Sequence, residues 1–600
     1  MTAPLLNQRD LAFVLYELLD ADELTKRPRF AEHSRETFDA ALETAHDIAR
    51  DHFLPHNREA DEREPWLEDG RVETVPAVKA ALEAFSKAGL MAAHADAELG
   101  GMQLPWVVAQ ACMAYFQGAN VGTAAYPLLT IAAANLVNAF GTQEQKALYL
   151  TPMLEGRFFG TMALTEPSAG SSLGDLRTTA EPTPEGHYHI RGAKIFISGG
   201  EHELAENIVH LVLARIRGAP AGVKGISLFL VPRRLLDADG RAGAKNDVAL
   251  GGLIHKMGFR GTVSTILNFG ERDRCVGYLV GAPGQGLACM FHMMNEARIG
   301  VGMGAVMLGY RGYLESLEYA RGRPQGRRPG EKDPTRPPVA IIEHADVKRM
   351  LLAQKAYVEG SFALGLYLAR LVDEKMTAPD DGRRREAGLL LELLTPIMKA
   401  WPSDWCLEAN RLAIQVLGGY GYTREFPVEQ LYRDNRLNAI HEGTNGIQAL
   451  DLLGRKVVME NGAAAKLLMA EIERACEAAK AFSALADHAR ALRAAAKAAK
   501  ATTRALVAGR FTRGVEAFLA NASVYLDMLG HTVVAWMWLK QATVAARRLD
   551  GASGAERDFY EGKLAACRYF FRWELPKCEA QHALLRRLDP TCLEMRSELF

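Results

Sequence analysis

The segment GTMALTEPSAGSSLG, Gly160 to Gly174, is where the chain changes character. Gly160 to Leu164 reads as a short strand, and the loop Ala163 to Gly174 then crowds four Ser or Thr hydroxyls, two Gly and one Pro together. Small residues let backbone N–H groups and hydroxyls come close to a flat polar heterocycle or a phosphate. Taken alone, the plainer reading is an ordinary polar turn. The loop is not a GxGxxG element and no βαβ unit surrounds it, which disfavours a Rossmann nucleotide site.

Upstream of this segment the period is helical. Phe38, Leu42, Ala45, Ile48, Ala49 and Phe53 recur at helix spacing, followed by Val78 to Ala88 and a long apolar stretch from Val107 to Phe140, with a loop at Gly100 and Gly101. Before them, Leu5 to Leu19 places Leu11, Val14, Leu15 and Leu18 on one face, a short helix that must dock elsewhere. Downstream, His187 to Ile197, Ile208 to Ala214, Ile226 to Pro232 and Val263 to Phe269 are β-branched runs between Gly, Pro and Asp, which predicts a small barrel or sandwich. Helix returns from Leu287 to Arg321, then from Ala345 to Leu371 and Leu389 to Leu417, with a solvated connection at Arg321 to Val339 and a polar gap at Glu374 to Gly388. With the segment from Ala439 these make a four-helix bundle. After Lys456 the chain is Ala-rich and helix-forming, broken at Gly551 to Gly554. The expected class is α+β multidomain: an extension over 1–33, a helical domain over 34–158, a β domain over 159–281, a helical bundle over 282–458 and an additional helical domain over 459–600.

Six hundred residues are too many for one core, and 48% apolar residues suffice for several. A net charge of −1 gives no field toward nucleic acid or an anionic membrane. Eight scattered Cys without a CxxC pair indicate free thiols in a reducing, cytoplasmic setting. Cys289 with His292, and Cys578 with His582, have a helical ligand spacing but no second half, so no metal is expected. The N-terminus lacks the pattern of a signal peptide, and no segment reads as eighteen or so uncharged apolar residues.

The second informative stretch is AIHEGTNGIQALD, Ala439 to Asp451. Ahead of the closing Asp451 its one carboxylate is Glu442, between His441 and Gly443, and the apolar Leu437, Ala439 and Ile440 before it suggest shielding from water. Desolvation makes a carboxylate a stronger base, which proton abstraction from carbon requires. Equally, Glu442 would serve as an acidic cap for the helix beginning near Thr444.

ALTEPSAGS, KIFISGG (Lys194 to Gly200), QVLGGYGYTREFPVEQLYRD (Gln415 to Asp434) and IHEGTNGIQ, in this order and spacing, resemble the acyl-CoA dehydrogenase family over about Phe38 to Val457. The N-terminal LLNQRDLAFVLYELL and the last domain look like its large bacterial subgroup, which includes the methylmercaptopropionyl-CoA dehydrogenases. The resemblance implies FAD held between the β domain and the bundle. Met162, Leu164, Thr165, Gly170 and Ser171 would contact the flavin or the substrate beside it, with Phe196 and Ser198 bracketing the ring. Phe196 stands where most relatives have Trp, and both offer a π face. Arg323 looks like the arginine that reaches the FAD diphosphate of a neighbouring subunit, with Arg321, Arg327 and Arg328 as substitutes. Gln415, Gly418 and Gly419 look like adenine-side contacts, and Thr444 another cofactor contact. Gly446 stands where a Gln is usual.

By the same resemblance Glu442 takes the α-proton of an acyl-CoA thioester, whose enolate is stabilised by the base's own backbone N–H and a ribityl hydroxyl. The product is a trans-2-enoyl-CoA, and the electrons pass to an electron-transfer flavoprotein. Some relatives carry the base just before an arginine corresponding to Arg298, but that neighbour here is Ala297, with Glu296 about 100° further round the helix. Arg298, His441, Gly443 and Ser171 are the candidate substrate contacts, and Arg298 would otherwise form a helix-packing salt bridge. Helices near Val107 to Leu128 and Phe291 to Arg298, with Met293 and Met294, would line the acyl pocket. The implied partners are acyl-CoA, an electron-transfer flavoprotein and a second copy in a homodimer, with no nucleic acid and no membrane span. The competing readings are an acyl-CoA oxidase and a non-catalytic binding or assembly member of the fold.

Overall fold

Ser34 opens the first long helix, Arg35–Ile48, through a capping box in which Ser34 and Thr37 each accept from the other's backbone N–H. The computed structural model describes residues 4–600, and the side chains of residues 292–295, including those of Met293 and Met294, lie outside that description. The chain divides into two units, Glu32–Gly300 and Met1–Ala31 with Val301–Phe600.

In the first unit, helices Arg35–Ile48, Pro76–Lys87, Trp106–Ala119 and Val121–Phe140 share a core in which the Phe116 ring meets those of Phe53 and Phe85, each at 4.8 Å. The long apolar stretch is two helices because Asn120 is extended, and its side chain accepts from Thr123 N at 3.0 Å to cap the second. That second helix, Val121–Phe140, corrects the expectation that no segment is long and apolar enough to cross a membrane. Thr123, Thr130, Asn135 and Asn138 obscure the run without charging it. Much of it is buried, with Ala132 to Val137 packed against the β domain as in a core helix.

The β domain is a barrel rather than a sandwich. Tyr188–Ser198 pairs with Val276–Val280, that strand with Ile226–Pro232, and that with Asn207–Ile216. Thr179–Pro182 closes the ring by pairing with both Asn207–Ile216 and Tyr188–Ser198. Ser264–Phe269 and Val248–Leu253 extend the sheet from Tyr188–Ser198. Along Asn207–Ile216, Val209, Leu211 and Leu213 face the helices while Val212 and Ala214 face the barrel interior with Phe229 and Val231. Both faces are buried, so the strand reads as a continuous apolar run. Thr179–Pro182, Val248–Leu253 and Val276–Val280 escape sequence reading because they are short and rich in Gly or Pro.

In the second unit, Ala345–Thr377 and Asp381–Leu417 pack lengthwise, joined by three residues. The polar gap expected over Glu374 to Gly388 is therefore mostly helix. Asp380 caps the new helix by accepting from Arg383 N at 2.8 Å, and its charges lie on an exposed first turn. Val428–Arg436 and Asn445–Asp451 follow. The additional helices Met459–Ala479, Ala486–Leu519, Ala522–Leu549 and Gly554–Tyr569 join the bundle through Trp538, whose Nε1 donates to Ala356 O at 2.9 Å. The N-terminal segment, Gln8–Ala12 running into Phe13–Leu18, buries Leu11, Val14, Leu15 and Leu18.

Candidate active site

On the β domain, the loop after Phe158–Ala163 is fixed by a buried ion pair. Lys194 Nζ lies 2.9 Å from Glu166 Oε1, with side-chain exposures of 0% and 4%. Lys194 also donates to Leu164 O at 2.9 Å, while Glu166 accepts from the backbone N–H groups of Arg177 and Thr178 and from the Thr178 hydroxyl. Ile195 N donates to Thr165 O at 2.9 Å, so Leu164 and Thr165 lie directly against the strand that carries Phe196 and Ser198. Glu166 and Ala169 exchange both backbone bonds in a tight turn that leads to the half-buried Gly170 and the exposed Ser171. Sequence reading missed this clamp, although Lys in a buried strand next to an ALTEP loop is its signal.

Phe196 is the strained point of that strand. Its φ is +61°, and the pairing with Ser264–Phe269 shifts register there, so a bulge turns the ring outward until it is 64% exposed. A large aromatic held out by a costly backbone conformation marks a binding surface. Met162, Leu164, Thr165, Gly170, Ser171 and Ser198 are gathered around the same loop and strand.

Burial pushes the Glu166 carboxyl up, but the Lys194 cation, the Thr178 hydroxyl and the backbone donors outweigh it and hold the group below its usual 4.5. A depressed carboxylate stabilises the fold above its unfolded pKa and loses that contribution as pH falls through the folded value. The stability gap between wild type and Glu166→Gln is therefore expected to be widest near neutrality. Denaturant unfolding should show it narrowing below about pH 4.5.

In the second unit, His441, Glu442, Gly443 and Thr444 form one turn, each half-buried. Gly443 takes φ +71°, which a side chain would strain. Gln448 Nε2 donates to Gly443 O at 2.8 Å. Asn445 Oδ1 accepts from Lys399 Nζ at 3.1 Å and its Nδ2 donates to Asp404 Oδ1 at 2.9 Å, pinning the far side of the turn to Asp381–Leu417. On the near side, Asn438 donates to Asn435, Asn435 to Asn410 and Ala305 O, and Asn410 to Leu308 O, a fully buried ladder. Thr444, not Glu442, occupies the N-cap of Asn445–Asp451. The shielding expected before Glu442 is incomplete, because Ile440 is 53% exposed. The Asn ladder also escaped the sequence reading, since polar residues at helix spacing look like a solvated face.

Gln415, Gly418 and Gly419 are not gathered at that turn. They lie at the end of Asp381–Leu417, about 16 Å along the helix from Asp404. Arg323 shares this end: Tyr319, one turn earlier, meets Phe426 at 5.6 Å, and Phe426 meets Tyr420 at 5.7 Å. Arg321, Arg323, Gln415, Tyr420 and Tyr422 are all exposed there. Arg298 is buried on Gly286–Gly322, its guanidinium carbon 5.7 Å from the Phe291 ring centre. A cavity of about 50 Å³ lies in the first unit among Trp106–Ala119, Val121–Phe140 and the start of Gly286–Gly322.

The chain belongs to the acyl-CoA dehydrogenase family: residues 35–157, 161–269 and 284–457 match its N-terminal, middle and C-terminal domains, and residues 468–596 match the acetyl-CoA dehydrogenase C-terminal-like domain. It is an FAD-dependent oxidoreductase that dehydrogenates acyl-CoA. It is 36% identical to the 3-methylmercaptopropionyl-CoA dehydrogenase of Ruegeria pomeroyi over 96% of both chains, and 34% identical to a broad-specificity linear acyl-CoA dehydrogenase of Mycobacterium tuberculosis over 99% of both. Its fold matches an acyl-CoA dehydrogenase complexed with FAD from Bacillus anthracis, with a TM-score of 0.74 at 20% identity, over 96% of this chain and 91% of that one. The outward Phe196 ring and the clamped loop of small residues beside it fit a flat heterocycle.

Proposed function

We propose that the enzyme converts a short acyl-CoA to its trans-2-enoyl-CoA, with Glu442 as the base that removes the α-proton. What supports this is the turn itself, which carries a single carboxylate and is held from both sides by Gln448, Asn445 and the Asn ladder. A base kept in one place is already oriented when substrate arrives, and orientation contributes much of the rate of a proton transfer. The Glu442 backbone N–H donates to the thioester carbonyl and stabilises the enolate as the proton leaves. Arg298 and Ser171 are the candidate thioester contacts of the first unit, and His441 and Gly443 those of the second. Bound FAD would supply the two-electron acceptor for the hydride equivalent leaving Cβ. Met162, Leu164, Thr165, Gly170, Ser171, Phe196 and Ser198 are the candidate flavin contacts of the first unit, and Thr444 is the candidate cofactor contact of the second.

Arg323, Gln415, Gly418 and Gly419 complete the diphosphate and adenine end in a neighbouring copy, so the working form is a homodimer. The exposed Tyr420 and Tyr422 beside them, 55% and 89% accessible, supply an aromatic surface of the kind subunit interfaces favour. Reoxidation falls to an electron-transfer flavoprotein. The test is anaerobic addition of butyryl-, hexanoyl- and 3-methylmercaptopropionyl-CoA to the holoenzyme. Loss of flavin absorbance with at least one ester, and turnover sustained by electron-transfer flavoprotein rather than oxygen, is expected. No bleaching with any ester removes the reading, and turnover on oxygen alone makes the enzyme an oxidase.

A further inference from the structure

The cavity between Trp106–Ala119, Val121–Phe140 and the start of Gly286–Gly322 is walled chiefly by apolar side chains such as Met113, Phe116, Leu128 and Ile131. Four lining residues break the pattern: His94, Gln110, Asn135 and Glu296. Asn135 Nδ2 donates to Glu296 Oε2 at 2.6 Å, and Asn135 Oδ1 lies 3.1 Å from His94 Nε2. A carboxylate only accepts, so the Asn135 amide is oriented with its oxygen toward the ring, and His94 Nε2 must carry the proton. The amide therefore fixes Glu296 against the cavity. Gln110, 6% exposed, lines the same cavity, and its Nε2 has no hydrogen-bond partner among the described residues.

A pocket shaped for a plain alkyl tail has no use for either group. An alkyl chain filling it leaves the Gln110 amide without an acceptor, which disfavours binding. The two take opposite partners, since the amide nitrogen only donates and the carboxylate, which already accepts from Asn135, only accepts. A hydroxyl answers both, accepting from Gln110 and donating to Glu296. Cα and Cβ are the carbons oxidised, so the hydroxyl belongs further along the chain.

We infer that the acyl group this enzyme selects carries a hydroxyl beyond Cβ, held between Gln110 and Glu296; the inference rests on the dehydrogenase reading above, with this cavity as the acyl pocket. The rejected analogue is the one that leaves the buried Gln110 amide unpaired, which is the strong form of discrimination.

The experiment compares kcat/KM of the holoenzyme for butyryl-, valeryl- and hexanoyl-CoA, each against its ω-hydroxy counterpart. At one length or more the hydroxy ester is expected to be favoured by about tenfold or more. Gln110→Leu should reverse that preference, lowering the hydroxyacyl value and raising the alkyl one, and Glu296→Gln should lower the hydroxyacyl value through KM. Thermal melting confirms that both variants are folded. An equal or greater kcat/KM for the alkyl ester at all three lengths overturns this inference alone, as does a folded Gln110→Leu with an unchanged ratio. Oxidation of none of the six esters overturns the dehydrogenase reading and this inference with it.

Discussion

Glu442→Gln is expected to lower kcat for acyl-CoA oxidation by about a thousandfold while the protein stays folded and yellow. A positioned general base contributes typically about 10²–10⁴ in rate, and the amide keeps the shape of the side chain but cannot take a proton. The Gln448 bond to Gly443 O and the Asn445 bonds to Lys399 and Asp404 hold the turn without using the Glu442 side chain, so the turn should survive. The effect therefore falls on kcat more than on KM, the pattern of an interaction made only in the transition state. Dye-linked turnover measures it. A fall of less than about tenfold, well short of the contribution of a positioned general base, would move the base elsewhere.

Lys563→Met should be the most destabilising of the simple substitutions in the second unit. Lys563 is wholly buried and donates to Glu359 Oε2 at 2.8 Å, to Gln541 Oε1 at 3.0 Å and to Asp10. Asp10 also accepts from the Tyr310 hydroxyl at 2.7 Å, and Lys355 pairs with Glu359. This cluster joins the N-terminal segment, the bundle and the additional domain at one point. Removing the ammonium leaves two buried carboxylates with one lysine between them, and breaking a buried pair from one side costs about 3–5 kcal/mol. Denaturant unfolding should show a loss in that range. Limited proteolysis should then cut the chain ahead of Ser34. A loss below about 1 kcal/mol would mean that the cluster contributes little to the joint.

The order of helical, β and helical segments was legible because hydrophobic period is a local property. Phe38, Leu42 and Ala45 repeat at helix spacing and are buried together, and Ile208 to Ala214 is apolar on both faces because barrel and helices cover both. Short strands were not legible, since Thr179–Pro182 is a strand only by virtue of the two neighbours that bracket it. The candidate site was legible in its motifs and opaque in its supports. ALTEPSAGS and IHEGTNGIQ stand out as stretches, whereas Lys194 against Glu166, or Asn410 against Asn435, are pairs far apart in sequence that only the fold brings together. Phe196 shows the limit most plainly: the sequence places an aromatic in a strand, and nothing local foretells the bulge that turns it outward.

The proton step can be isolated with a β-thia acyl-CoA, in which sulfur replaces Cβ and no hydride can leave. Incubated anaerobically in D₂O with the wild-type holoenzyme, the analogue should take up deuterium at Cα, and with Glu442→Gln it should take up none above the rate in buffer. Exchange by the folded, flavin-loaded variant at the wild-type rate would contradict the assignment of Glu442 as the base.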